Sequence, residues 1–458
     1  MEVSLWTALG AVLVLALITF VGVRAGKNVK SAKDFTTGSG MGTAMEAGSL
    51  IGTLVGGAST IGTAQLAFTY GLSAWWFTLG GGLGLAVMAL WFIHPLRDSG
   101  LTTLPQILTK EYGKKVATAA AVLISVGTFI SIVSQLLSGA ALITSLWKIP
   151  TLTAVLLTMA LMVVYVFFGG AWGAGMVGIV KTILLYAETI VCGIAALALA
   201  GGPEVFWEAL PHEQYFNLFA RGVWKDAGAG ASLIFGVLTT QAYFLPILSA
   251  KSEKVAKKGC LFGGFLTVFI GLAGILVGFY MRIYFPETPS ASVLPMFVLL
   301  HLPDFLGGII LAALLVALVG TGAGLALGIS SVLSADIYKP LRKKPSEKEM
   351  LFVSRGFILA VLFAAAAFAC GEAGSMILNW SFLSMGLRGA VMFAPLCFAL
   401  FAPGQVPKIY AASAVVAGPI VVLAGHYLLP PHIDPLFPGM AIALLICTLG
   451  YFIKKNGR

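Results

Sequence analysis

The chain has 458 residues, 59% of them hydrophobic and only 10% charged, with a mean hydropathy of +0.98. A soluble domain carries roughly 25% charged residues, so this sequence has too little polar surface to coat a water-soluble particle. Cytosolic enzymes, secreted disulfide scaffolds and nucleic-acid binders are excluded, and the formal net charge of +10 has to be explained by where the charges sit.

The first apolar stretch, Leu5 to Val23, is too long for a signal-peptide core and no small-residue cleavage site follows it, so it is expected to stay as a helix. At roughly 20 apolar residues per crossing, thirteen spans are expected: 4–23, 44–68, 73–96, 116–147, 150–168, 174–200, 227–249, 257–283, 303–335, 350–371, 375–401, 408–429 and 437–454. The fold class is all-α and polytopic, with one membrane domain over residues 1–458.

The second span carries Gly48, Gly52, Gly56, Gly57 and Gly62 among Ser49, Thr53, Ser59, Thr60 and Thr63. Glycine weakens a helix by roughly 1 kcal/mol relative to alanine, and backbone leaves helical geometry at membrane depth only where protein or a wet cavity satisfies it. An unwound stretch at Leu54–Ala58 is expected; close packing through small residues is the alternative. In the third span, Gly80, Gly81, Gly82 and Gly84 read as packing surface. The sixth span holds Lys181 and Glu188, seven residues apart and so on one helix face. The ninth span is interrupted by Gly320, Thr321, Gly322 and Gly324, and paired interruptions of this kind point to a transporter's midplane site. The eleventh carries Arg388. A charge in mid-membrane costs at least about 2.5 kcal/mol, which makes each of these residues a candidate for function.

With the N-terminus outside, the cytoplasmic loops collect 22 of the 28 lysines and arginines. The longest outer loop, 201–226, carries Glu204, Glu208, Glu213 and Asp226 instead. The basic balance is therefore a topology signal, and the protein is expected to be integral to the cytoplasmic (plasma) membrane with its N-terminus outside and its C-terminus inside. The cysteines make no CxxC and the five histidines make no HExxH or triad, so neither an enzyme nor an organic cofactor is expected.

Several short motifs then stand in order along the chain: Thr37-Gly38-Ser39, Gly48-Ser49-Leu50-Ile51 and Tyr70-Gly71-Leu72; Thr103-Leu104-Pro105-Gln106, with glutamine where glutamate is usual; Ala250-Lys251-Ser252; and Asp336-Ile337-Tyr338-Lys339. In these the sequence resembles the solute:sodium symporter family. The resemblance implies a LeuT-like inverted repeat of five plus five helices, over 44–200 and 227–401, with one helix before (4–23) and two after (408–454). It implies an ion-coupled symporter that imports a small polar solute by alternating access.

By that resemblance a sodium ion lies between the second and ninth spans, held by the carbonyls of Gly52, Val55 and Ala317 and by the hydroxyl of Thr321. Here the sequence departs from the family twice. Gly320 replaces a second hydroxyl residue, and Gly178 stands where an aspartate often helps. One turn further on, Lys181 stands where glutamine is usual. Some proton-coupled transporters of the same fold place a lysine there, so the alternative is a sodium-independent, proton-coupled carrier in which Lys181 replaces the ion. Solute contacts implied by the family are Val55, Gly56, Ser59, Thr60, Trp75, Trp76, Gln135, Gln241 and Tyr243. Half-helix ends favour a carboxylate, so an organic acid or amino acid is expected ahead of a sugar.

Overall fold

The computed structural model describes residues 4–26, 40–342, 345–372 and 374–456, with Thr19, Asp336, Pro340 and residues 21–26 and 168–177 described by their backbone alone. The Thr37-Gly38-Ser39 motif and several of the counted basic residues, Lys27, Lys30, Lys33, Lys343, Lys344 and Arg458, lie outside the described residues. The chain is helical and belongs to the all-α class. Its principal helices are α1 (Leu5–Gly26), α2 (Thr43–Leu54), α3 (Thr63–Tyr70), α4 (Trp76–Val87), α5 (Leu104–Tyr112), α6 (Lys114–Leu146) and α7 (Thr151–Ala200). They continue with α8 (Val223–Thr239), α9 (Gln241–Ser249), α10 (Glu253–Tyr284), α11 (Asp304–Val332), α12 (Glu347–Gly371), α13 (Ile377–Phe401), α14 (Lys408–Leu428) and α15 (Leu436–Asn456).

By length and apolarity nine described helices qualify as membrane spans, ten if the bent pair α8 and α9 is counted, and Leu5–Ile18, Thr151–Phe167 and Ser290–His301 are shorter apolar helices. The expected first, fifth and seventh spans correspond to Leu5–Ile18, Thr151–Phe167 and the bent pair, and the later part of the second shares with the third one run of 41 helical residues, Ala58–Asp98. That run is interrupted where α3 ends, at Gly71, whose φ of +61° suits glycine and whose missing side chain makes room for the backbone of Tyr215.

Two of the short motifs turn out to be helix starts. Thr103 caps α5 by accepting the N–H of Gln106, with Pro105 in the first turn, and Ser252 caps α10 by accepting the N–H of Val255. The Ala-Lys-Ser stretch also forms an isolated parallel bridge. Met41 donates to the carbonyl of Ser249 at 2.9 Å and accepts from the N–H of Lys251 at 3.0 Å, tying the entry of α2 to the exit of α9.

Helix α11 is the centre of the bundle. In its most apolar window 83% is buried, against 22% for α12, and it packs on α1, α2, α6, α7 and α12. Its glycines serve that packing, because a β-carbon on Gly322 would lie 2.6 Å from the sulfur of Met162. The expected interruption of the ninth span is accordingly absent: Asp304 to Val332 is one α-helix. The second broken span is the seventh instead. There α8 and α9 meet at Thr240 with a bend of 49°.

At the end of α8 expected to face outside, a buried network closes the bundle. Arg221 Nη2 lies 2.6 Å from Asp226 Oδ1, which also accepts from Ser73 Oγ at 2.7 Å, and Arg221 Nη1 donates to Asn379 Oδ1 at 3.4 Å. Three helical segments are thus joined through one carboxylate. Removing one partner of a buried pair strands the other charge. Asp226→Asn is therefore expected to cost about 3–5 kcal/mol, read as a lowered thermal midpoint of the purified protein. Adding Arg221→Gln should recover part of that loss, and additive losses would contradict the coupling.

Candidate ion and solute site

The site is made possible by three glycines. Helices α2 and α7 cross at Gly48, Gly52 and Gly178, so closely that a β-carbon on Gly178 would lie 2.6 Å from the carbonyl oxygen of Gly48. No carboxylate fits at position 178 in this packing. Three residues on, where α7 has turned once, Lys181 reaches across the crossing and is 2% exposed. Its Nζ donates to the carbonyl of Gly52 at 2.5 Å and to Thr321 Oγ1 at 2.8 Å.

Beyond Gly52 the helix ends. Val55 is extended (φ −91°, ψ 112°), and helical turns resume at Ala58 as a short π-helical segment, Ala58–Gly62. The break at Val55–Gly57 falls within the expected stretch. Its peptide groups are satisfied from the surroundings. The Gly57 N–H donates to Gln135 Oε1 at 2.8 Å and the Gly56 N–H to Ser59 Oγ at 2.9 Å. The Gly56 carbonyl accepts from Ser59 Oγ at 2.9 Å and Thr60 Oγ1 at 3.0 Å. Thr321 Oγ1 stands 3.1 Å from the carbonyl oxygens of both Gly52 and Val55. Gly56 has no room for a side chain, since a β-carbon would lie 2.6 Å from both Gln135 Oε1 and Thr321 Oγ1.

The oxygens implied as a sodium shell are thus partly assembled: Gly52 O, Val55 O and Thr321 Oγ1 converge, and the lysine amine lies on two of them. Ala317 is fully buried beside Val55 in an apolar cluster with Ile51, Leu185 and Ile270. A β-carbon on Gly320 would lie 3.7 Å from Lys181 Nζ and 3.4 Å from the Tyr165 hydroxyl, so a hydroxyl-bearing side chain there would crowd the amine. Glu188, on the same helix, does not reach Lys181, and its buried Oε2 has no partner among the described residues.

Of the implied solute contacts, Val55, Gly56, Ser59, Thr60 and Gln135 gather at this break. The others lie elsewhere. Trp75 and Trp76 donate their indole N–H groups to the carbonyls of Val268 at 2.8 Å and Leu218 at 2.7 Å. Gln241 is engaged at both ends, accepting from the N–H of Leu104 and donating to the carbonyl of Thr102, each at 3.0 Å. Tyr243 is buried in the first turn of α9.

Sequence reasoning missed a polar seam along α6. Ser138 packs on Gly57, Ser134 accepts from Ser381 Oγ at 2.8 Å, and Ser131 bonds Ser384 at 2.7 Å. The seam runs from the first broken helix to Arg388 on α13. The spacing of Ser131, Ser134 and Ser138 on one helix face was visible in the sequence. The break at Thr240 left a fainter mark, Thr239-Thr240-Gln241 followed by Pro246, which cannot donate a helical hydrogen bond.

An all-helical membrane bundle in which two broken helices meet a continuous central one is the architecture of the LeuT-like inverted-repeat transporters. The sodium:solute symporter family model matches residues 35–430, and the chain belongs to that family. Among curated relatives it is 24% identical over 444 residues to sodium/myo-inositol cotransporter 2 of Bos taurus, covering 85% of this chain and 66% of that protein. It is 24% identical over 394 residues to high-affinity choline transporter 1 of Drosophila melanogaster, covering 78% and 61%. It is 26% identical over 370 residues to the uncharacterized symporter YwcA of Bacillus subtilis, covering 76% and 72%. The chain therefore spans just under two thirds of the length of the first two. Among solved structures it matches a substrate-bound, outward-open Na+-coupled sialic acid symporter with a TM-score of 0.83, at 18% identity, over 99% of this chain and 98% of that one.

The glycine crossing gives a test of the local packing. Gly178→Ala should force α2 and α7 apart at a cost of about 1–3 kcal/mol, measured by thermal denaturation in detergent. An unchanged midpoint would mean that the crossing is looser than described.

Proposed function

We propose that the chain is a cation-coupled secondary active transporter, importing a small polar solute across the membrane by alternating access. The observation that carries this reading is the convergence of Gly52 O, Val55 O and Thr321 Oγ1 at a helix break, with the Lys181 amine on the first and last of them. Unwound backbone at membrane depth is tolerated where it lines such a site. The family supports sodium as the coupling ion, with Gly52, Val55, Ala317 and Thr321 as its ligands. An enzymatic role has no support in the family or its relatives.

A second reading rests on Lys181. Its amine stands 2.5 Å and 2.8 Å from two of the same oxygens, so a sodium ion sharing this shell would face a like charge at contact distance. We take the geometry to favour the amine as the site's cation and a proton, carried on Lys181, as the coupling ion. No carboxylate pairs with it among the described residues, so its charge answers only to carbonyl and hydroxyl dipoles. The solute lies against Gly56, Ser59, Thr60 and Gln135, and the two half-helices favour a carboxylate on it.

Uptake into proteoliposomes decides between the readings. It should be run with labelled organic acids, amino acids and polyols under a sodium gradient, a proton gradient, or neither. Accumulation driven by protons without sodium, and lost in Lys181→Gln, is the expected outcome. Strict sodium dependence that survives Lys181→Gln returns the site to sodium. Thr321→Ala removes a hydrogen bond to a charged group, worth about 1.5–3 kcal/mol, and should weaken ion dependence by about 10- to 100-fold. Unchanged dependence would remove Thr321 from the site.

A further inference from the structure

Arg388 lies midway along α13 and is wholly buried. Its guanidinium donates to Thr240 Oγ1 at 2.7 Å, Ser131 Oγ at 3.0 Å and Ser384 Oγ at 3.1 Å, and to the carbonyl of Ser384 at 3.2 Å. Met385 Sδ lies 3.0 Å away. Every oxygen in this set is neutral, and no carboxylate among the described residues pairs with the charge. The hydroxyl protons are spent on backbone, Thr240 donating to the carbonyl of Gly236 and Ser384 to that of Gly127, each at 2.5 Å. Their lone pairs are thereby turned toward the guanidinium, which fixes its position and leaves its charge uncompensated. A neutral amide would tie these helices together as well, without the desolvation cost of a buried cation.

The place of this charge is as telling as its isolation. Thr240 is the residue at which α8 breaks into α9, so the first N–H groups of α9, on Gln241 and Ala242, have no intrahelical acceptor and add positive potential at the same point. A cavity of about 10 Å³ beside the break is lined by Thr128, Thr240, Gln241 and Ala242 with the apolar Ile124 and Ile329, and Arg388 does not line it; it has room for about one water molecule. The serine seam of α6 runs from this arginine to the break at Gly57.

We infer that Arg388 is the anion anchor of the solute site, and that the transported solute carries a carboxylate held between this guanidinium and the broken α8–α9 helix. The inference rests on the transport reading above and narrows its substrate class to anions or zwitterions. The three hydroxyls hold the guanidinium in place. When the solute binds, its carboxylate supplies the opposite charge, in a charge-assisted, bidentate pair that a neutral isostere cannot make.

The test compares carboxylates with their own amides in proteoliposomes of the full chain: lactate with lactamide, proline with prolinamide, and myo-inositol as a neutral control. Wild-type uptake should be inhibited by the effective carboxylate about 100-fold more strongly than by its amide. In Arg388→Gln that ratio should collapse toward one, and Arg388→Lys should restore part of it. Equal inhibition of the wild-type protein by carboxylate and amide overturns the assignment whether or not either variant folds. So does a carboxylate preference that survives in Arg388→Gln. Failure of every solute to accumulate under any gradient overturns the transport reading itself, and with it this inference.

Discussion

At membrane depth the lipid offers nothing to a peptide group that leaves a helix, so every such group must find its partner in the protein or in a wet cavity the protein encloses. The interior of this bundle is organised by that constraint. The carbonyls freed between Gly52 and Gly57 meet Lys181, Thr321, Ser59 and Thr60, and the freed N–H groups meet Gln135 and Ser59. The partners come from four parts of the chain: α7, α11, α6 and the broken helix itself. The break is therefore a product of the tertiary structure as much as of its own glycines.

The same partners that satisfy the break form the proposed ion site. A cluster of carbonyl and hydroxyl oxygens is suited to a cation, and the amine of Lys181 lies on two of them. Glycine is needed for this at two levels. At Gly48, Gly52 and Gly178 it lets two helices approach until a lysine can cross between them, and at Gly56 and Gly57 it lets side chains of α6 and α11 touch the unwound backbone. Departures from the family pattern at Gly178 and Gly320 then form a consistent set with Lys181. The packing leaves no space for an aspartate at the first, and the second leaves open the space the amine occupies.

The second broken helix repeats the arrangement with a different cation. At Thr240 the buried charge belongs to Arg388, and its partners are three hydroxyls and the carbonyl of Ser384. The serines of α6 run between the two breaks, so one helix face lines the way from one cation to the other. At one end of the bundle the Met41–Ala250 bridge ties α2 to α9. At the other, Arg221 and Asp226 join α8 to the turn before α4 and to α13. The half-helices are thus held at their far ends, away from the breaks.

Much of this was legible in the sequence, because hydropathy and loop charge act locally and survive any packing. They establish the membrane class, and glycine density alone marks the break at Val55–Gly57. The short motifs identify the family, and the cost of charge in lipid singles out Lys181 and Arg388 before any contact is known. Other features were decided only by tertiary structure. The glycines of α11 look like a break and are a packing surface, since Met162 and Lys181 come to lie against them. Thr240 looks like part of an ordinary span and is a break, because Arg388 and the start of α9 supply what its backbone and hydroxyl require. Trp75, Trp76 and Gln241 suit a solute by their chemistry, yet carbonyls and an N–H from distant segments engage them first. Local composition determines where a helix is able to break, and the partners brought by the fold determine where it does.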